Sequence, residues 1–224
     1  MSSEIVEPEI ERIKLSLAEE NLIEQIRNYI TKVEMLFQEI DVTIDDIFRH
    51  KFESAKTRVI KVYEDLRSVY GFQSTVARYA AKVSVTITNG YYYLSLVDSL
   101  MSLTDSLHKL VLDLELTCSA QPRLSETLIL YIQNFVKQLR EYISYIRSLL
   151  LYLIENPTKV PGLATLMEKN FNEILYMIRT IYVNQEGESK GSILGELLTT
   201  LIDLLHNFHI IGEKALWLYT TRAS

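Results

Sequence analysis

Leu100 to Leu110 reads L-M-S-L-T-D-S-L-H-K-L, and Leu198 to Phe208 reads L-T-T-L-I-D-L-L-H-N-F. At a constant offset of 98 residues, five of these eleven positions are identical: Leu100/Leu198, Leu103/Leu201, Asp105/Asp203, Leu107/Leu205 and His108/His206. Leucine matches are common between helical segments. An Asp and a His three residues apart inside the same leucine frame are harder to match by chance. The pair therefore predicts two stacked copies of one helical module.

The rest of the chain fits that prediction. It has 224 residues, 48% hydrophobic and 23% charged, enough apolar material for a substantial core. Only seven glycines and four prolines interrupt it. Long helices follow from so few breakers, whereas a sandwich or barrel needs many more turn residues. The formal net charge is −6 and the 23 basic residues are scattered, with no run above two. That disfavours nucleic acid, which is bound by clustered Lys and Arg. Cys118 stands alone, which excludes an intrachain disulfide or a cysteine-based zinc knuckle and suits a reducing cytoplasm. The opening MSSEIVEPEIERIK lacks the basic and apolar regions of a signal peptide. The most apolar stretch, Ser148 to Ile154, is too short to cross a bilayer and is flanked by Arg147 and Glu155. A soluble, cytoplasmic protein is expected.

Breakers and caps divide the chain into six helices. The first is predicted over Ala18–Ile40, with a break at Asp41-Val42-Thr43 and Thr43 or Asp45 capping the next. The second runs over Ile44–Val83, with Gly71 marking a bend. Asn89-Gly90 is a turn pair, and the third helix follows over Tyr91–Thr117. Ser125 caps a fourth that ends at Asn156-Pro157. The fifth spans Leu163–Val183, and Ser192 caps a sixth running to Tyr219. A weaker match lays Tyr63–Tyr70 over Phe171–Ile178, with acids Asp65 and Glu173 in the middle helix of each half. Its offset is ten larger, so an insertion must lie in the connecting segment.

Two three-helix modules with acids on their second and third helices resemble the PhoU-like family, which includes PhoU and the accessory proteins of Pit-type phosphate permeases. Tyr91–Leu110, Y-Y-Y-L-S-L-V-D-S-L-M-S-L-T-D-S-L-H-K-L, is similar to the family's third helix, and Val62–Tyr70, V-Y-E-D-L-R-S-V-Y, to its second. The resemblance extends over roughly Glu19 to Tyr219. It implies iron or zinc clusters held by acid pairs at i and i+4, which share one helix face and bind hard or borderline cations through oxygen. This chain departs from that pattern. Lys61 precedes Asp65, Met101 precedes Asp105, Lys169 precedes Glu173 and Thr199 precedes Asp203. The first acid of each pair is lost, and a lysine puts positive charge where a cation would sit. A shifted register, Glu168 with Asn172 and Asp203 with Asn207, restores no pair. Metal binding is expected to be weak or absent. The residual ligand set for iron or zinc is Asp65, Asp105, His108, Glu173, Asp203 and His206.

Asp203, His206 and His209 lie at i, i+3 and i+6, and Asp105 with His108 is the other copy. Carboxylate and imidazole can bind zinc or iron. The simpler reading is an acid hydrogen-bonding a histidine one turn later. Lys61 and Lys169 are read as ion-pair partners of Asp65 and Glu173, not anion ligands. The fourteen tyrosines, Tyr91-Tyr92-Tyr93 included, are placed at the core rim with hydroxyls in water, and Trp217 against the last turn or an interface. No nucleophile triad, P-loop, dinucleotide fingerprint or H-E-x-x-H motif is present.

These readings give an all-α protein of tandem three-helix bundles, six long antiparallel helices. Residues 1–18 form an N-terminal extension, 19–118 the first bundle, 119–123 a linker and 124–224 the second bundle, the whole being one compact domain. Through the resemblance, the expected function is an accessory or regulator of inorganic phosphate transport that binds protein and catalyses nothing. Its partner would be a phosphate permease or another membrane-associated or signalling protein, with this chain at most peripheral to the membrane. Long apolar stripes leave surface for a homodimer. The alternatives are a helical adaptor unrelated to phosphate and a metal-binding helical protein.

Overall fold

Ser16 starts the first helix. Its hydroxyl accepts the Glu19 N–H at 3.3 Å, while the Glu19 carboxylate accepts the Ser16 N–H at 2.9 Å, a reciprocal cap. In a computed structural model of the chain, residues 15–122, 125–184 and 193–223 are described. They form α1 (Leu17–Phe48), α2 (Phe52–Val83), α3 (Gly90–Ala120), α4 (Glu126–Glu155), α5 (Val160–Asn184) and α6 (Ile193–Ala223). A single 3-10 turn, Pro157–Lys159, leads into α5. The described residues contain no strand. Ser192 and most of the loop before it lie outside the described residues.

The expected break at Asp41-Val42-Thr43 does not exist. Helix α1 runs through it because the apolar stripe continues: Ile40, Ile44 and Ile47 are all buried. Thr43 bonds back to the Glu39 carbonyl at 2.7 Å instead of capping. The turn comes at Arg49–Lys51, where His50 takes a left-handed φ of 57°. Helix α2 is continuous through Gly71. Asn89, also left-handed at φ 59°, precedes α3. Gly90 is required there, because a Cβ on it would stand 1.9 Å from the Ser84 carbonyl oxygen.

Helices α1, α2 and α3 pack as one bundle, and α4 holds α5 and α6 in the second. The halves are joined by two antiparallel pairings. Helix α1 lies along α4, tied by Gln133 to Asp45 at 2.9 Å and Arg147 to Glu34 at 3.2 Å. Helix α3 lies along α6, the most extensive pairing among the described residues. Buried positions of the two halves correspond helix by helix. Ile23, Ile30, Phe37 and Ile44 of α1 correspond to Ile132, Leu139, Ile146 and Leu153 of α4, 109 residues on (132 − 23), and all eight are buried. Ala55, Val59, Val62 and Leu66 of α2 correspond to Leu163, Met167, Asn170 and Ile174 of α5, 108 on (163 − 55), and are buried likewise. Much of the length difference between halves sits in α5, which has 25 residues against 32 in α2. Helix α2 packs closely on both its neighbours, whereas α5 packs on α4 and only lightly on α6.

The core also corrects the placement of the tyrosines. Tyr29, Tyr93 and Tyr142 are among the largest fully buried side chains. The Tyr29 hydroxyl meets Thr104 Oγ1 at 2.6 Å and donates to the Leu100 carbonyl at 3.1 Å, so protein takes the place of water. Burial holds its ionisation far above the usual phenol range. Tyr91, in contrast, is 77% exposed.

Candidate functional site

The repeated motif turns its leucines inward and its polar residues outward. Leu103 and Leu107 of α3 are buried while Asp105 and His108 are exposed; Leu201 and Leu205 of α6 are buried while Asp203 and His206 are exposed. Antiparallel pairing of α3 with α6 brings the two copies together about a pseudo-twofold axis near the middle of one surface. Lys109 Nζ lies 3.6 Å from the Asp203 carboxylate, and Asn207 Nδ2 donates to Ser106 Oγ at 2.8 Å. Deeper in the same seam, Thr200 donates to the buried Asp113. Desolvation pushes the Asp113 carboxyl above the usual range, with the Thr200 bond opposing.

Neither acid bonds the histidine one turn on. The Tyr70 hydroxyl donates to Asp105 at 3.4 Å, and the His108 ring lies edge-on to Tyr63 and Tyr70, both at 6.3 Å between centroids. Asp203 faces Lys109. Partners on the flanking helices replace the expected contact along one helix. Lys169 does stand 3.7 Å from Glu173, as the spacing predicts. Lys61 does not turn to the half-buried Asp65; it crosses to Glu39 of α1 at 2.6 Å.

His209 is turned towards α4 and α5. It stacks on Phe171, with centroids 3.8 Å apart and planes 8° from parallel, and its Nδ1 is 3.0 Å from the Tyr142 hydroxyl. Its Nε2 is 3.4 Å from Glu213. Burial lowers the imidazole below the usual histidine range, Glu213 opposing and His206 adding to the effect.

Asp65, Asp105, His108, Glu173, Asp203 and His206 are thus spread over α2, α3, α5 and α6. Among the described residues, no three His, Cys, Asp or Glu side chains come together to hold a metal ion. Asp203 and Glu173 already face lysines. As placed, these side chains do not fit the oxygen-ligated iron or zinc cluster that the family resemblance implies.

The repeat also extends beyond the residues that first revealed it. At the same offset of 98, Asp98 matches Glu196 and Glu115 matches Glu213. All four are exposed, as are Asp105 and Asp203. Sliding the offset to either side of Leu100–Leu110 finds them from sequence.

No protein-family model matches the chain, and no curated protein matches it in sequence. Among solved structures, it is similar in fold to a protein from Shewanella oneidensis MR-1 described as a PhoU-like phosphate regulatory protein. The TM-score is 0.68 over 90% of this chain and 99% of that one, at 9% sequence identity. The chain therefore has the PhoU-like fold. No described helix is long and apolar enough to cross a membrane.

Proposed function

We propose that this chain is an accessory or regulatory protein of inorganic phosphate transport, acting by binding a permease or a signalling protein. The observation that carries this reading is the fold likeness, which spans nearly the whole of both chains and includes both halves of the duplication. Docking would act by differential contact: a partner with two conformations shifts toward the one this chain binds better. The reading assigns no catalytic residue and no resident metal, and places the chain in the cytoplasm, at most peripheral to a membrane.

Deletion of the gene in its host, with uptake of radiolabelled inorganic phosphate measured before and after phosphate starvation, tests the proposal. A changed uptake rate or a changed starvation response, restored by the gene, is expected. Unchanged uptake in both conditions would remove the link to phosphate and leave a general helical adaptor. Affinity capture from the membrane fraction should in addition recover a phosphate permease well above a control bait.

A further inference from the structure

The outward faces of α3 and α6 form a surface that is both apolar and acidic. Tyr91, Leu94, Met101, Leu112 and Leu116 of α3 are between 39% and 77% exposed, and Trp217 of α6 is 51% exposed. At helical spacing the α3 residues share one face in two groups, Tyr91–Leu94–Met101 and Leu112–Leu116, with exposed Asp105, His108 and Lys109 between them. Contacts of Lys214 with the Ser95 carbonyl at 2.8 Å and Ser99 Oγ at 2.6 Å fix the register of α6 at this end. Trp217, one turn beyond Lys214, is thereby level with the Tyr91 and Leu94 end of this face. A run of exposed apolar side chains of this kind marks an interaction surface.

Charge selects the occupant. Asp98, Asp105, Glu115, Glu196, Asp203 and Glu213 all stand on these two faces. Against them, among the described side chains, are Lys109, already paired with Asp203, and Lys214, drawn into the seam. The six acids are three pairs at the repeat offset, Asp98 with Glu196, Asp105 with Asp203 and Glu115 with Glu213. Packing accounts for repeated core leucines. Four of the repeated acids also have partners within the chain: Tyr70 donates to Asp105 and Tyr63 to Glu115, Lys109 faces Asp203, and His209 lies 3.4 Å from Glu213. These contacts still leave the two faces with more acids than lysines, in a chain already at −6. By contrast, the C-terminal part of α2, Leu66–Val83, carries exposed Arg67, Arg78 and Lys82 and no acid.

We propose that the α3–α6 face docks a basic amphipathic helix of a protein partner, its apolar side on the Leu94–Met101–Trp217 stripe and its lysines or arginines over the flanking acids. An anionic bilayer would be repelled by the same acids. This rests on the protein-binding part of the proposed function and names the chemistry of the partner.

Trp217 is the chain's single tryptophan and reports on the face directly. The full chain is titrated with a synthetic helical peptide of about 18 residues patterned from leucine and lysine. A saturable blue shift of Trp217 emission that weakens with salt is expected. The same pattern built from leucine and glutamate, and the leucine–lysine composition in scrambled order, should each bind at least about tenfold more weakly. So should the variant Asp98→Asn/Met101→Ser/Glu196→Gln, none of whose side chains has a structural role described above. Equal binding of the scrambled peptide, or of the variant, overturns the proposal by reducing it to unspecific attraction. Dilution-dependent Trp217 emission of the chain alone, abolished by the same substitutions, overturns it in favour of a second copy. The peptide comparison and salt titration use the unsubstituted chain, so they decide the matter even if the variant misfolds. Phosphate uptake is read separately, so either reading can fail without the other.

Discussion

Phe171 and His209 stack face to face, and that contact is one of few between α5 and α6 among the described residues. Removing the aromatic cover opens the imidazole to water. Phe171→Ala should therefore raise the His209 ionisation toward the usual histidine value, a change read by NMR titration of the ring; no movement would mean that the stack does not control it. The sign for stability follows. A histidine kept neutral by burial contributes nothing adverse above pH 6.5, and costs stability as pH falls below 6.5, where the unfolded chain takes up the proton first. Gly71 tests a different kind of residue. It sits inside α2, and a Cβ there would meet nothing within 4 Å. Gly71→Ala should stabilise by about 1 kcal/mol and raise Tm by roughly 2–4 °C in calorimetry. Tyr29 shows where single-residue reading from sequence stops. Its spacing identifies it as inward-facing, but the Thr104 hydroxyl that permits full burial comes from another helix 75 positions away.

Helices were legible where one signal dominated. Ser125 and Asn156-Pro157 bound α4 as their chemistry predicts, the Ser125 hydroxyl accepting the Leu128 N–H at 3.3 Å. At Asp41–Thr43 two signals competed, and the continuing apolar stripe of α1 prevailed over polar residues that resemble a cap. Those polar residues are instead engaged elsewhere: Arg140 bonds Asp41, Thr43 bonds the Glu39 carbonyl and Gln133 bonds Asp45. Val42, 42% exposed, isolates the backbone question. Val42→Pro should cost about 3 kcal/mol or more in urea unfolding, since it removes a helical hydrogen bond without disturbing the core. A loss below about 1 kcal/mol would restore the break. The candidate site was legible to a similar degree. Periodicity put Asp105, His108, Asp203 and His206 on helix faces. Their partners, Tyr70 and Lys109, depend on which helices lie alongside, and no local spacing encodes that.

At the scale of the whole molecule, duplication was visible because α3 and α6 kept one offset across both core and surface. How the copies pack was not visible, since a leucine stripe reads the same whether it meets its own bundle or the other. The structure directs much of both stripes across the boundary, α1 to α4 and α3 to α6. Residues 1–122 expressed alone would leave these faces bare. That fragment should show helical far-UV circular dichroism without a cooperative thermal transition; a sharp, reversible transition would establish the half as a foldable unit. The same pairing sets a schedule on the ribosome. Helix α3 is complete at Ala120 and its partner α6 only at Ala223, 103 residues later (223 − 120). At about 5–20 residues per second the nascent chain holds an unmatched leucine face for roughly 5–20 s. Throughout that interval the face is open to chaperones, and to the α6 of any finished neighbour on the same message.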